Sequence, residues 1–289
     1  MKPAPFDYVR PASVADAASA LRDAHGEGKI LAGGQSLIPL LNFRLASPAV
    51  LVDLNGVGDL AYIRSSDSVV AVGAMTRVRA VERDEDVRRR IPILAEALSW
   101  VGHVQIRNRG TVGGSIAHAD PAAELPAVAL ALDGSVTVAG PSGERTITVD
   151  ELLLGFLTTS LDEDELITEV RFQVPGPSAA WGFREFAPRH GDFAFAGAAV
   201  VVTPDDQGRI ADSRVVVFGG PDRALRATEA EGALIGSELI EETARQVAAT
   251  AAAETLVEDP RPDAAYRRRV TEAMVARALG DAIERRTTT

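Results

Sequence analysis

Residues 107–125 read RNRGTVGGSIAHADPAAEL, and no other stretch of the chain is as informative. Three glycines, Gly110, Gly113 and Gly114, lie within five positions, with hydroxyl side chains among them. Glycine permits a positive φ and has no Cβ, so the backbone N–H groups around it can approach a ligand closely. Consecutive N–H groups in such a turn form a concave surface that attracts anions. The stretch therefore predicts an anion site, although a tight turn between two elements would look the same.

A second glycine-rich stretch, LAGGQSL at residues 31–37, follows a short apolar run at 28–31. The two stretches lie about eighty residues apart, so they could hold the two ends of one extended phosphate ligand. Neither has the GxGxxG spacing of a dinucleotide fingerprint or the Lys-Ser/Thr of a P-loop. We therefore expect the backbone N–H groups of both stretches to bind a single diphosphate together, without an ordinary nucleotide motif.

Composition narrows the class of protein. The chain has 289 residues, 46% hydrophobic and 25% charged, which is typical of a soluble protein of two or three compact modules. The net charge of −11 argues against nucleic-acid binding as the main function. There is no cysteine, so no disulfide, cysteine-ligated zinc or cysteine-ligated iron–sulfur cluster can form here. The four histidines have no tight ligand spacing, and no metal site is predicted.

Targeting and catalytic signals are both weak. The first residues, MKPAPFDYVRP, contain no apolar leader, and no run approaches eighteen apolar residues, so we expect a cytoplasmic protein without a membrane span. No Ser/His/Asp or Cys/His constellation is evident, and no catalytic residue is predicted. This pattern is typical of a protein whose chemistry belongs to a cofactor.

Hydrophobic patterning predicts an α+β fold in which a small parallel sheet comes first and an antiparallel or mixed sheet follows. The predicted strands are 6–9, 29–31, 50–54, 61–64, 69–73, 136–139, 146–149 and 169–174. The predicted helices are 14–24, 37–45, 91–100 and 124–130, and Thr76 is expected to cap another that runs to residue 81. The charge run 82–90 is interpreted as a solvated face.

Pro175-Gly176-Pro177 is the clearest linker, and a second module is expected beyond it. Three antiparallel strands, at 181–187, 194–202 and 210–218, are followed by helices at 224–234, 240–254 and 264–279. Residues 285–289 are expected to fray. The predicted domains are 1–176, with subdomains of about 1–56 and 57–176, and 177–289.

Three motifs in this order, AGGQSL, RNRGTVGGSIAHADPAAELP and RHGDFAFAGAAVVV at 189–202, resemble one family. It is the FAD-binding medium subunit of molybdenum hydroxylases, of the carbon monoxide dehydrogenase and xanthine dehydrogenase type. The resemblance covers the whole chain. It implies one FAD between the glycine stretches and the C-terminal module, a three-stranded sheet with a helical bundle. It also implies a large molybdopterin subunit and a small subunit with [2Fe-2S] clusters, as a dimer of heterotrimers.

By the same resemblance, electrons pass from the clusters through FAD to an external acceptor such as a quinone, NAD or oxygen. The FAD-binding positions that it implies are Ala32, Gly33, Gly34, Gln35, Ser36, Leu37, Val101, Thr111, Gly113, Gly114, Ser115, His118, Asp120, Glu124, Leu166, Ile167, Arg184, Asp192 and Phe193. Relatives often carry histidine where this chain has Gln35, and aspartate where it has Glu124.

Several of these positions have simpler interpretations. Glu124 could interact only with its helix N-terminus, and His118 could be an ordinary turn residue. Phe193 either stacks on the flavin or packs in the core. Arg184 either stabilises reduced flavin or forms a surface salt bridge.

Two other functions stay open at this point: a non-redox nucleotide-binding module, and a flavin oxidoreductase that acts alone. The substrate is open as well, because in this family the large subunit selects it. Carbon monoxide, a purine, an aldehyde and an N-heterocycle are all compatible with the sequence.

Overall fold

The computed structural model describes residues 2–255 and 264–287. Its first subdomain alternates strands and helices: β1 (Asp7–Val9), α1 (Val14–Asp23), β2 (Gly28–Leu31), α2 (Leu37–Asn42) and β3 (Val50–Asp53). The strands form a parallel sheet, as predicted, and their order is β1-β3-β2. Ser13 caps α1 by accepting a hydrogen bond from the N–H of Asp16. Helix α2 ends three residues earlier than expected, and Arg44 just beyond it has a φ of 58°.

The second subdomain is built on an antiparallel sheet of five strands, ordered β4-β5-β10-β6-β7. These strands are β4 (Ile63–Ser65), β5 (Val69–Gly73), β6 (Ser135–Gly140), β7 (Gly143–Thr148) and β10 (Leu166–Gln173). A separate hairpin joins β8 (Leu153–Gly155) and β9 (Thr158–Thr159). The helices are α3 (Val78–Arg83), α4 (Glu85–Arg90), α5 (Pro92–Trp100), α6 (Val104–Arg109), α7 (Val112–His118), α8 (Glu124–Ala131) and α9 (Val149–Leu152).

Two local expectations in this subdomain are wrong. Thr76 does not cap α3, because its hydroxyl exchanges hydrogen bonds with the backbone of Tyr62 and the helix starts two residues later. The run 82–90 is not simply a solvated face. Glu82 and Val87 are buried, and Asp84 begins a second helix by accepting a hydrogen bond from the N–H of Val87. Because most residues of the run are charged, its sequence did not indicate that these two side chains face inward.

The C-terminal module contains the sheet β11-β12-β13-β14 and three helices. Its elements are β11 (Ala180–Phe186), β12 (Ala196–Pro204), β13 (Ile210–Phe218), β14 (Leu225–Arg226), α10 (Thr228–Leu234), α11 (Glu241–Glu254) and α12 (Ala264–Thr287). The three predicted strands are present, and the two-residue β14 adds a fourth. Helix α12 continues to Thr287, so the expected fraying at 285–287 is not observed, and residues 288–289 lie outside the described residues.

Each face of the C-terminal sheet covers a different core. One face packs against α10 and α12, and α11 packs on these two helices in the same core. The other carries Phe183 and Phe218, whose rings stack 5.7 Å apart, and it joins the core of the second subdomain. Helix α8 packs against β12 and β13 on this second face. The module expected to be separate therefore shares a continuous hydrophobic core with the domain before it. Among the residues that the structure describes, no helix is long and apolar enough to cross a membrane.

Arg107, just upstream of the central glycines, is buried and does not face a ligand. Its Nε donates to Glu82 Oε2 at 2.9 Å, and one of its terminal nitrogens donates to the carbonyls of Ser99, Val101 and Gly102. Glu82 also pairs with Arg79 at 2.6 Å. Arg107 thus ties α6 to α3 and to the turn after α5.

We predict that Arg107→Ala lowers the free energy of unfolding by about 3 kcal/mol, because it leaves the buried Glu82 carboxylate with Arg79 as its one remaining cation and deprives three carbonyls of their donor. Urea denaturation of the chain measures this change. Arg109→Ala is the matched control, since Arg109 is exposed and should change stability by less than about 0.5 kcal/mol. Equal effects of the two substitutions would contradict the structural role of Arg107.

Candidate functional site

The two glycine-rich stretches lie side by side. A Cβ built on Gly33 would be 2.4 Å from the carbonyl oxygen of Arg109 and 2.8 Å from Gly110 Cα. A Cβ on Gly114 would be 3.4 Å from Ala32 Cβ. Backbone therefore touches backbone at Gly33, where any side chain would force the two stretches apart. The structure places both stretches at one site, as the sequence analysis expected.

Two polar side chains that the sequence analysis did not select hold this junction together. Asn55, at the end of β3, donates from Nδ2 to the carbonyl of Ala32 at 3.0 Å. The guanidinium of Arg77 donates to Asn55 Oδ1 and to the carbonyl of Arg109, both at 2.6 Å. The Asn-Gly pair after a predicted strand was the one available signal, and it indicated only a turn.

The first stretch offers unused backbone donors. It forms the turn that leads into α2, where Gly34 has a φ of 74° and Ser36 makes no side-chain cap. Within residues 2–255 and 264–287, no hydrogen bond uses the N–H groups of Gly33, Gly34, Gln35 or Ser36. The side chain of Gln35 folds back and donates to the carbonyl of Gly33 at 3.0 Å. Free N–H groups before a helix attract anions.

The second stretch is different, because its N–H groups are already bonded. Gly113 and Gly114 lie inside α7, where Gly113 donates to the carbonyl of Ala74 at 2.9 Å and Gly114 to the capping hydroxyl of Thr111 at 3.2 Å. Ser115 donates to the carbonyl of Thr111 at 3.0 Å. The expectation that both stretches present bare amides is therefore wrong for the second one.

Close packing, not a positive φ, explains the glycines of α7. A Cβ on Gly113 would be 2.5 Å from Ala74 Cβ, and a Cβ on Gly114 would be 2.6 Å from Thr111 Oγ1. The absence of side chains lets the start of α7 lie against the end of β5 and against the first stretch. The start of α7, where Gly113 and Gly114 have no side chains, thus forms a wall beside the N–H donors of the first stretch.

A tight turn leads from α7 to α8. Ala119 adopts a left-handed conformation with a φ of 50°, and Asp120 accepts a hydrogen bond from the N–H of Ala122 at 2.9 Å. His118 lies near this turn, with Nε2 4.0 Å from Asp120 Oδ2. Burial lowers the pKa of His118, and the opposing effect of Asp120 is smaller. Burial therefore favours the neutral form of the imidazole.

Glu124 begins α8 and is only 7% exposed. Burial raises its pKa to about 7, and the nearby Asp120 adds to this effect. A carboxyl group beside a helix N-terminus is usually ionised, so burial here outweighs the helix dipole. Glu124 is an acid that can change charge near neutral pH.

Arg184 and its neighbour Glu185 point to opposite faces of β11. Arg184 forms an ion pair with Asp281 of α12, which agrees with the salt-bridge interpretation. Glu185 is buried on the face that meets the preceding domain, and both of its carboxyl oxygens are without a hydrogen-bond partner in the described part of the chain. Burial, together with the charge of Glu124, raises its pKa to about 8. Sequence reasoning missed Glu185, because alternation along a strand does not reveal which face is covered.

The segment 189–193 projects beside the turn after α5. The rings of His190 and Trp100 stack with centroids 5.0 Å apart, and a Cβ on Gly191 would be 2.9 Å from the carbonyl of Gly102. Phe193 is 77% exposed, so the core-packing interpretation is wrong for this residue. An exposed aromatic ring there is free to stack on a planar ligand.

The remaining predicted positions differ in what they can offer to a ligand. Val101 and Leu37 are half-buried, and Asp192 is exposed. Leu166 and Ile167 are 1% and 4% exposed and belong to the hydrophobic core. Almost none of the surface of either residue is left for a cofactor.

These features fit FAD. Unused N–H donors at residues 33–36 suit a diphosphate, a carboxyl group at Glu124 suits a hydroxyl, and an exposed Phe193 suits an aromatic ring. Within the described residues no cluster of histidine and acidic side chains is arranged to hold a metal ion.

We predict that the FAD-free chain becomes less stable as the pH rises from about 5 to about 8. Glu124 binds its proton more tightly in the folded state than in the unfolded chain, because its pKa rises from 4.5 to about 7 on folding. The stability that the bound proton of Glu124 contributes is fully present below about pH 4.5, and it is lost as the pH rises through about 7. Glu124→Gln should reduce the loss by on the order of 2 kcal/mol in urea denaturation.

The exposed Glu144→Gln is the control for that experiment and should retain the wild-type pH dependence. Parallel pH profiles for Glu124→Gln and the wild type would mean that Glu124 has an ordinary pKa in the folded chain.

Two protein-family models match the chain. One, described as the FAD binding domain in molybdopterin dehydrogenase, covers residues 4–175, and the other, the CO dehydrogenase flavoprotein C-terminal domain, covers residues 181–282. Among characterised relatives, the 6-hydroxypseudooxynicotine dehydrogenase complex subunit alpha of Paenarthrobacter nicotinovorans is 48% identical. That alignment covers 99% of this chain and 97% of the relative.

Solved structures agree over the full length. A chain of the carbon monoxide dehydrogenase of Hydrogenophaga pseudoflava, in a form lacking the Mo-pyranopterin moiety, has a TM-score of 0.94 at 37% identity, with 99% of both chains covered. Quinoline 2-oxidoreductase from Pseudomonas putida 86 has a TM-score of 0.91 at 34% identity, covering 98% of this chain and 99% of the other. With the matched family models and the fold described above, these likenesses show that the chain belongs to the FAD-binding medium subunits of the molybdenum hydroxylases.

Proposed function

We propose that the diphosphate of FAD binds to the N–H groups of residues 33–36, against the wall formed by the start of α7. The observation that supports this most strongly is that the N–H groups of residues 33–36 make no hydrogen bond in the described part of the chain, while Gly33 packs directly on the backbone of Arg109 and Gly110. A diphosphate carries negative charge and several acceptor oxygens, so it suits N–H groups that precede a helix. In this arrangement Thr111, Gly113 and Ser115 form part of the wall, and their backbone N–H groups would not donate to FAD.

Other parts of the cofactor would extend from this point. Glu124 would accept a hydrogen bond from a hydroxyl of FAD, and Phe193 would stack on the flavin ring. His118 and Asp120 would line the path between the diphosphate site and Glu124. We leave Arg184 out of this proposal, because Asp281 already pairs with its guanidinium.

FAD supplies the redox chemistry, in which electrons from a partner's iron–sulfur clusters pass to an external acceptor. The residues of this chain contribute binding, orientation and exclusion of water. The chain contains no cysteine, so such clusters would have to come from a partner. We propose a small [2Fe-2S] subunit and a large molybdopterin subunit as partners, assembled as a dimer of heterotrimers.

The remaining expectations stay predictions. A domain boundary near residues 176–177 is supported by family models that end at residue 175 and begin again at 181. We propose a quinone, NAD or oxygen as the external electron acceptor and a cytoplasmic location. The similar proteins act on different compounds, by their names a nicotine derivative, carbon monoxide and quinoline, so we assign no substrate. Membership of this family disfavours the two alternative functions, which are a non-redox nucleotide-binding module and a flavin enzyme that acts alone.

We predict that Gly33→Ala weakens FAD binding at least about tenfold, a loss of about 1.4 kcal/mol or more. Its methyl group would lie 2.4 Å from the Arg109 carbonyl, which forces the two stretches apart and displaces the donors. Flavin fluorescence during titration of the FAD-free chain measures the dissociation constant, and circular dichroism confirms that the fold persists.

Gly58→Ala is the matched control, because a Cβ there meets nothing within 4 Å, and its FAD affinity should equal that of the wild type. Wild-type affinity in a folded Gly33→Ala variant would contradict the placement of the diphosphate. Absence of FAD binding by the wild-type chain under all conditions would contradict the proposed function as a whole.

A further inference from the structure

Three successive carbonyl groups of the first glycine-rich stretch are bonded within the protein. The carbonyl of Ala32 accepts a hydrogen bond from Asn55 Nδ2 at 3.0 Å, and that of Gly33 accepts one from Gln35 Nε2, also at 3.0 Å. The carbonyl of Gly34 accepts one from the backbone of α2 at 3.1 Å. Three peptide groups in a row are therefore held by their oxygen atoms, and side-chain amides hold two of them.

Each of these bonds also fixes the direction of an N–H group. The described residues contain no cis peptide bond, and the C=O and N–H of a planar trans peptide point in opposite directions. The carbonyl of Ala32 and the N–H of Gly33 belong to one peptide, so Asn55 orients that N–H. The carbonyl of Gly33 shares a peptide with the N–H of Gly34, so Gln35 orients that one. Neither N–H has a hydrogen-bond partner in the described part of the chain.

The hydrogen bonds around Asn55 are compatible with only one orientation of its amide. Nδ2 faces two acceptors, which are the carbonyl of Ala32 and Oδ1 of Asp53. Oδ1 accepts a hydrogen bond from the guanidinium of Arg77 at 2.6 Å. A rotated amide would place its oxygen against two acceptors and its NH2 group against a guanidinium. The carboxylate of Asp53 is held in turn by the hydroxyl of Tyr8.

The fold explains why Asn55 can reach the first stretch and connect it to the second. Leu31 at the end of β2 pairs with Asp53 at the end of the parallel strand β3, so the chain leaves both strands at one edge of the sheet. Arg77, which donates to Asn55, forms an antiparallel bridge with Thr111 of the second stretch. The direction of the Gly33 N–H therefore depends on contacts from both stretches.

We propose that Asn55 and Gln35 are positioning residues for FAD, which orient the N–H groups of Gly33 and Gly34 toward the diphosphate through the carbonyls of the same peptides. A ligand binds more tightly to donors that are already oriented than to donors that it has to order. Loss of either side-chain amide thus weakens binding although no donor to FAD is removed. This inference rests on the proposed function, since it needs the diphosphate at residues 33–36.

Gln35 provides the cleaner test, by the dissociation constant of FAD for the full chain in a flavin fluorescence titration. Gln35→Met keeps the length of the side chain but has no N–H, so it should raise the dissociation constant about fivefold. Gln35→His introduces the residue that relatives often carry, whose ring N–H can donate, and should stay within about twofold of the wild type. Gln246→Met, at an exposed glutamine of α11, is the matched control and should bind as the wild type does.

Asn55→Ala should raise the dissociation constant of FAD about tenfold, because it also removes the acceptor of Arg77. Residue-resolved amide exchange at saturating FAD distinguishes positioning from a general loosening of the fold. Exchange should become faster at Gly33 in Asn55→Ala and at Gly34 in Gln35→Met. Residues 112–115 should keep their wild-type protection in both variants.

Wild-type affinity in a folded Gln35→Met or Asn55→Ala variant would overturn the inference and leave the proposed function intact. Equal losses in Gln35→Met and Gln35→His, or faster exchange spread evenly over residues 33–36 and 112–115, would overturn it as well. If Asn55→Ala does not fold, the Gln35 variants decide. Failure of the wild type to bind FAD would overturn the proposed function and this inference with it.

Discussion

The site depends on one steric constraint: two chain segments meet backbone to backbone at Gly33, with no room for a Cβ between them. That contact brings the turn before α2 against the residues just before α7, although they are distant in sequence. Asn55 and Arg77 then tie the two segments together through side-chain hydrogen bonds to their carbonyls. The carbonyls of Ala32 and Arg109 are thus bonded within the protein, whereas the N–H groups of residues 33–36 make no hydrogen bond in the described part of the chain.

The glycines of this site have different physical roles despite their similar sequence context. In the first segment they expose backbone donors, and in α7 they allow a helix to pack closely while its own N–H groups are bonded inside the protein. The hydrophobic core to which β11, β12 and α8 contribute is continuous from the second subdomain into the C-terminal module. Glu124 and Glu185 are both buried in this part of the protein, and burial raises the pKa of each carboxyl group.

Much of the fold follows from the sequence, because hydrophobic periodicity predicted most strands of the three main sheets and most of the helices. The motifs also predicted that the two glycine-rich stretches lie close together, and the structure places them side by side. What periodicity lacks is the knowledge of which face of an element is covered and which N–H groups are already bonded. Three features could therefore not be predicted from the sequence. They are the bonded amides of Gly113 and Gly114, the inward-facing side chain of Glu185, and the hydrogen bonds by which Arg77 joins the two segments. Each depends on partners distant in sequence, and local patterns do not encode such partners.

Backbone hydrogen exchange with and without FAD tests the central claim most directly, because it distinguishes the amides of the two glycine segments. We expect the amides of residues 33–36 to exchange rapidly in the FAD-free chain and to become protected when FAD binds. Those of residues 112–115 should be protected in both states, since they are bonded within the protein. New protection confined to residues 112–115, with rapid exchange persisting at 33–36, would contradict the assignment of the diphosphate to the first segment.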